Sequence, residues 1–111
     1  MDFHGEKPIY LQIADVLCES ILGGSLKADD RIPSVREYGA DIGVNPNTVM
    51  RVYEKLTAEG IIYNKRGIGY FVSDDARKKI QAAQKAEFLE KELPAIRRKM
   101  ELLGLDASIF N

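Results

Sequence analysis

Apolar residues recur along this chain at two different periods. From Ile9 through Ile13, Val16, Leu17 and Ile21 they keep the i, i+4, i+7, i+8 spacing of a helix that buries one face. Pro8 suits the first turn, where a missing N–H breaks no bond, and Gly23-Gly24 suits the end, so a helix is expected over about residues 8–23. The following SLKADDRIP carries no period and reads as a loop. Ser34-Val35-Arg36-Glu37 then has the S-x-x-E spacing of a capping box, in which the serine and glutamate side chains each accept the other's backbone N–H. A second helix follows, with Val35, Tyr38 and Ile42 on its buried face. Gly39 in its middle weakens a helix by roughly 1 kcal/mol against alanine, which close packing on another helix would offset.

Gly43 can take the left-handed conformation that closes a helix, and Asn45 is a preferred N-cap with Pro46 at the first helical position behind it. The third helix is expected over residues 46–59, burying Val49, Val52, Tyr53 and Leu56 and ending at Gly60. Two short helices joined by a tight glycine-containing turn form a helix-turn-helix. The period then changes. In IIYNKRGIGYFV, β-rich runs at residues 61–63 and 70–72 flank NKRGIG, whose glycines supply the φ angles of a hairpin loop. A hairpin directly after a helix-turn-helix makes a winged helix, here with its wing over residues 61–72.

From Ser73 onward helix formers dominate, with Ile80, Ala82, Ala83, Ala86, Leu89 and Leu93 on a narrow stripe that Ile96, Met100 and Leu103 continue. Pro94 disfavours helix at Leu93, which predicts a break or kink there. Gly104 stops the stripe and Asp106 can cap a final turn. The fold class is therefore mainly α with a small β-hairpin: a winged helix-turn-helix over residues 1–73 and a short helical tail over 74–111.

Composition narrows what such a chain does. At 111 residues, 45% apolar and 30% charged, it is an ordinary folding chain of one domain and a small appendage. No apolar run approaches the ~18 residues that span a bilayer, and MDFHGEKP lacks the basic and apolar regions of a signal peptide. No membrane partner and a cytoplasmic location are expected. Cys18, the single cysteine, lies in the apolar VLCESIL and reads as a small buried side chain. With one histidine, His4, no partner cysteine and no glycine-rich phosphate loop, no catalytic or metal constellation emerges, so neither enzyme activity nor a cofactor is expected.

The net charge of −1 decides nothing, but its distribution does. Residues 1–30 set two lysines against six carboxylates, net −4, whereas residues 31–72 set six cations against four carboxylates, net +2. A modest positive field over the helix-turn-helix and wing suits phosphate contact.

In a helix-turn-helix the second helix of the pair enters the major groove and its N-terminal residues meet base edges. At about 100° per residue, Asn47, Thr48, Arg51 and Lys55 lie opposite the buried face of residues 46–59. Asparagine can pair with an adenine edge and arginine with a guanine edge through two hydrogen bonds each, while a threonine methyl can touch thymine. Taken alone, the stripe is equally what any solvated helix face presents. N–H groups at the helix start would add a phosphate site. Arg36 has two readings, a phosphate clamp or a surface ion pair with Glu37 or Asp41. Lys65, Arg66 and Gly67 form a basic wing tip suited to a minor groove or phosphate, although exposed turns are often basic.

The run RIPSVREYGADIGVNPNTVMRVYEKLTAEGIIYNKRGIGYFV strongly resembles the DNA-binding domain of the GntR family of bacterial transcription regulators, and the likeness extends back to PIYLQIADVLCESILGG. Its most specific parts are residues 33–37, Gly43-Val44-Asn45, Thr48-Val49, Tyr53, Leu56, Glu59-Gly60, Gly67, Gly69 and Phe71-Val72. The chain beyond Val72 is too short for the effector or aminotransferase-like domain that many members carry, and FLEKELPAIRRKMELLGLD is similar to the helical dimerisation tail of the YtrA subfamily. The resemblance implies a homodimeric repressor of a double-stranded DNA operator, often controlling a transporter operon that includes its own gene. It also implies DNA contact at the positions of Arg36, Asn47, Thr48 and Gly67, with a polar or charged wing residue at Arg66. Some members have arginine where Met50 or Pro46 stands, so base contact here falls to Asn45, Asn47, Thr48 and Arg51. Tyr38-Gly39 replaces the usual leucine-alanine pair. The full DNA-binding set is thus Ser34, Arg36, Asn45, Asn47, Thr48, Arg51, Lys65, Arg66 and Gly67.

A winged helix can also serve as a protein-docking module, because fold alone does not fix function. A small-molecule effector bound between tail and winged helix would change the spacing of two recognition helices only if it bound the two spacings differently. No residue in the sequence singles out such a site.

Overall fold

The structure is a computed structural model and describes residues 5–111; His4 lies outside the described residues. Two compact units divide the chain, residues 1–80 and residues 81–111. Within the first, helix α1 (Ile9–Leu22) leads to a two-residue strand β1 (Arg31–Ile32), helices α2 (Val35–Ile42) and α3 (Pro46–Ala58), and the hairpin strands β2 (Ile62–Lys65) and β3 (Gly69–Val72). Helix α4 (Ala76–Glu87) starts in this unit, and its Ala76 and Ile80 are buried in the same core as α1 and α3.

The stripe on α1 is rotated from the expected one. Ile13, Leu17 and Ile21 are buried as anticipated, but Ala14 and Cys18 complete the face, while Ile9 is exposed and Val16 only half-buried. Its burial, and then the charges of Glu59 and Asp15, push the Cys18 thiol up to about 11, so it stays protonated at neutral pH.

Local signals set the helix pair. The Ser34 hydroxyl accepts from Glu37 N at 3.1 Å and the Glu37 carboxylate accepts from Ser34 N at 3.4 Å, closing the capping box. Gly43 ends α2 at φ +71°, and Asn45 caps α3 with Pro46 in the first turn. At the far end of α3, Ile61 N bonds the Leu56 carbonyl (2.9 Å) and Gly60 N the Thr57 carbonyl (3.0 Å), a Schellman motif that turns the chain into the hairpin. Gly39 is buried where α2 closes on the turn and on the first residue of α3, the close packing that its place in mid-helix called for. A Cβ there would lie 2.7 Å from the Val44 carbonyl oxygen of the turn and 3.6 Å from Pro46 Cα. Tyr38 beside it stacks on Tyr53 at 6.3 Å, so Tyr38-Gly39 combines a larger ring with a closer backbone approach than leucine-alanine would.

The sheet has three antiparallel strands in the order β1-β3-β2, one more than the expected hairpin. Arg31 pairs with Phe71 and Ile32 with Tyr70, and Asp29 N to Val72 O and Val72 N to Asp30 O extend the ladder. The segment read as a loop because two residues show no alternation, yet Ile32 is part of the core.

Tyr53 ties these parts together. Its ring is fully buried, edge-on to Tyr70 of β3 at 4.9 Å, and its hydroxyl donates to the Pro33 carbonyl at 2.7 Å, just before the α2 cap. Burial pushes its hydroxyl pKa up, so the O–H stays a donor. Tyr53→Phe leaves that carbonyl without its partner and is expected to lower stability by about 1–3 kcal/mol. In a urea titration the midpoint should fall at constant slope; an unmoved midpoint would show that water replaces the bond.

The second unit contains the rest of α4, a π-helical turn (Phe88–Glu92), helix α5 (Leu93–Leu102) and a short 3-10 turn (Ala107–Phe110). Pro94 does not break the helix. Having no N–H for the Glu90 carbonyl, it is preceded by a widened turn in which Leu93 N bonds Phe88 O, and Leu93 stays helical at φ −62°, ψ −44°. Gly104 (φ +70°) closes α5 in a second Schellman motif, with Leu105 N to Met100 O at 2.8 Å, and Asp106 caps the last turn through Ser108 N. Among residues 81–111 only Leu93 and Met100 reach even half-burial.

Candidate nucleic-acid interface

The buried side of α3 is Val49, Val52, Tyr53 and Leu56, which fixes what its other side presents. Asn47, Met50 and Arg51 are exposed in its first turns, and Thr48 is half-buried at the edge. Lys55, on the same stripe, is held by an ion pair with Glu59 and is neutralised. Arg51 has a different support. Its guanidinium carbon lies 4.1 Å from the ring centroid of Tyr10 on α1, a cation–π contact that leaves its charge uncompensated.

The start of α3 offers no spare backbone donor, contrary to the expected phosphate site. Pro46 has none, Asn47 N donates to Asn45 Oδ1 at 2.8 Å, and Thr48 N bonds the Asn45 carbonyl at 2.9 Å. The same bond divides the asparagines chemically. The Asn45 side-chain oxygen is already engaged by the Asn47 N–H, whereas Asn47 offers both its side-chain donor and acceptor and can pair with an adenine edge. Ser34 likewise uses its oxygen as acceptor in the cap and keeps its O–H as donor. Arg36 is exposed in the first turn of α2 and forms no ion pair with Glu37 or Asp41.

At the wing, Ile68 N bonds Lys65 O at 2.9 Å, with Arg66 and Gly67 between them and Gly67 at φ +79°. That is a type II turn, in which the third position favours glycine. Lys65 lies over the Phe71 ring at 5.1 Å, and Tyr63 stacks on Phe71 at 5.6 Å while donating to Asp29 Oδ1 at 3.0 Å. The Arg31 side chain crosses Gly69, where a Cβ would lie 3.0 Å from its Nε. Sequence reading missed Arg31 and Tyr10, because only strand register and helix packing bring them to the wing and to α3. It also passed over Ile68, which is 59% exposed between the two wing glycines.

A capped helix pair with a polar, exposed face, followed by a basic-tipped hairpin, is a winged helix-turn-helix DNA-binding domain. Residues 9–72 match the family described as bacterial regulatory proteins, gntR family. The chain belongs to the GntR family, within its YtrA subfamily, and is a DNA-binding transcription regulator. It is 36% identical over 107 residues to the HTH-type transcriptional repressor YtrA of Bacillus subtilis, covering 96% of this chain and 76% of that protein. A crystal structure of a GntR-family regulator from Bacteroides thetaiotaomicron is 46% identical, with TM-score 0.73 over 93% of this chain and 89% of that one. The AraR DNA-binding domain, crystallised with operator ORX1, is 27% identical, with TM-score 0.60 over 65% of this chain and 93% of that one. These relatives are regulators of transcription, not enzymes. Among the described residues no helix is long and apolar enough to cross a membrane.

Proposed function

We propose that the chain acts in the cytoplasm as a homodimeric repressor that binds a two-fold symmetric operator, one winged helix per half-site, through residues 46–59 and the wing at 61–72. The observation that carries this reading is the pair Asn47 and Arg51, exposed on the first turns of a helix whose opposite face is locked into the core. Asn47 takes an adenine edge, Arg51 a guanine edge, the Thr48 methyl a thymine, and Asn45 donates from the cap. Ser34 and Arg36 hold phosphates beside the groove, and Lys65, Arg66 and Gly67 bring the wing onto the minor groove or its phosphates. Residues 74–111 join the two copies. The naming of the related YtrA as a repressor and the AraR domain's co-crystal with its operator support this reading.

The test is to recover the genomic fragments that the full chain retains and to footprint them. A short symmetric sequence protected in both halves is expected; no enrichment over bulk DNA would favour the docking-module reading. On the recovered site, Lys65→Ala and Arg66→Ala should weaken binding to all sequences alike, each lowering the log–log salt slope by about 1 for each phosphate no longer neutralised. An unchanged slope in both removes the wing from the phosphates.

A further inference from the structure

An arginine that reads a base must be held in place without having its charge or its donor edge consumed. A carboxylate partner would do the first and defeat the second, as Glu59 does for Lys55. Arg51 is exposed on the same helix face, and its support is an aromatic ring. Tyr10 sits in the first turn of α1, half-buried and packed against the core, with the Arg51 guanidinium carbon 4.1 Å from its ring centroid. A planar guanidinium against a ring face keeps its N–H donors at the edges, free for the N7 and O6 acceptors of guanine. It also gives up less rotamer freedom on binding than a free arginine.

We infer that Tyr10 is a positioning residue for operator specificity: its ring preorients Arg51 for one base pair in each half-site, so α1 takes part in sequence reading without touching a base. This rests on the assignment of Arg51 as a base reader, and the two fail differently.

The experiment enriches binding sites for the full chain from a pool of random 30-base-pair duplexes, using wild type, Arg51→Ala, Tyr10→Leu and Tyr10→Phe, with thermal melts of each. Arg51→Ala should erase the preference at one base pair per half-site. Tyr10→Leu should reduce the preference at that same position by about three- to tenfold and leave the other positions alone, and Tyr10→Phe, which keeps the ring, should match wild type. In the free wild-type chain the Arg51 Hδ protons should show an upfield ring-current shift by NMR, a readout that needs no variant to fold. An Arg51→Ala profile identical to wild type overturns the base-reading assignment and this inference with it. A normal Arg51-dependent position in Tyr10→Leu, an even loss at every position, or unshifted Arg51 Hδ protons overturns the inference alone.

Discussion

The double variant Asn47→Ala/Arg51→Ala is expected to reduce operator binding to the level of nonspecific DNA. Each truncation removes a side chain that can make two hydrogen bonds to one base, worth about 1–3 kcal/mol of discrimination, or roughly 5- to 150-fold. In a two-fold complex each change occurs twice, so the effect of each truncation is doubled in free energy. Thermal stability should barely move, because Asn47 and Arg51 are exposed and the helix is held from its other face by Val49, Val52, Tyr53 and Leu56. Arg36→Ala supplies the contrast. Without a cation at that phosphate every sequence binds more weakly to the same degree and the salt slope falls, whereas the base-reading variants should change the preferred sequence at unchanged slope. Competition binding with single-base operator variants separates the outcomes, and full discrimination retained by the double variant would sink the base-reading assignment.

The parts of this arrangement that were legible in the sequence are those set within a turn or two of chain. The capping box at Ser34, the left-handed Gly43 and the Asn45-Pro46 start of α3 each depend on neighbours within about four residues, and each is where the pattern placed it. What the sequence hid is what tertiary packing makes. Strand β1 exists because Arg31 and Ile32 meet Phe71 and Tyr70, and no alternation in two residues could announce that. The face of α1 turned toward Ala14 and Cys18 and left Ile9 in solvent, which the spacing of large apolar residues cannot foresee. For the reading face, the pattern named the exposed stripe but not the state of its members. Lys55 is neutralised by Glu59, Arg51 is kept available by Tyr10, and the Asn45 side-chain oxygen engages the very N–H that would otherwise have met a phosphate. Pro94 shows the same limit on a small scale. Its missing donor announced a break or kink at Leu93, and the helix is disturbed there, but by a widened turn and not a break.

Charging the tail, as Leu102→Glu/Phe110→Glu, is expected to convert the proposed dimer into monomers. Residues 81–111 contain no buried side chain, yet they carry Leu89, Ile96, Leu102, Leu103, Leu105, Ile109 and Phe110 in the open, with Leu102 80% and Phe110 74% exposed. Exposed apolar surface on that scale, in so short a segment, calls for a partner. A second copy is the partner that a two-fold operator also requires. Linking two half-site readers makes the second binding event intramolecular and raises affinity by about 10²–10⁴ without any new bond. The variant should therefore sediment as a monomer where wild type is expected to sediment as the proposed dimer, and lose that factor on the full operator. On a duplex with a single half-site it should bind as wild type does, since the core of residues 5–80 and its α3 face are untouched. Equal loss on the full and half operators would instead mean that the substitutions had damaged the reading unit. A variant that stays dimeric with full affinity would place the two-fold contact outside this apolar surface.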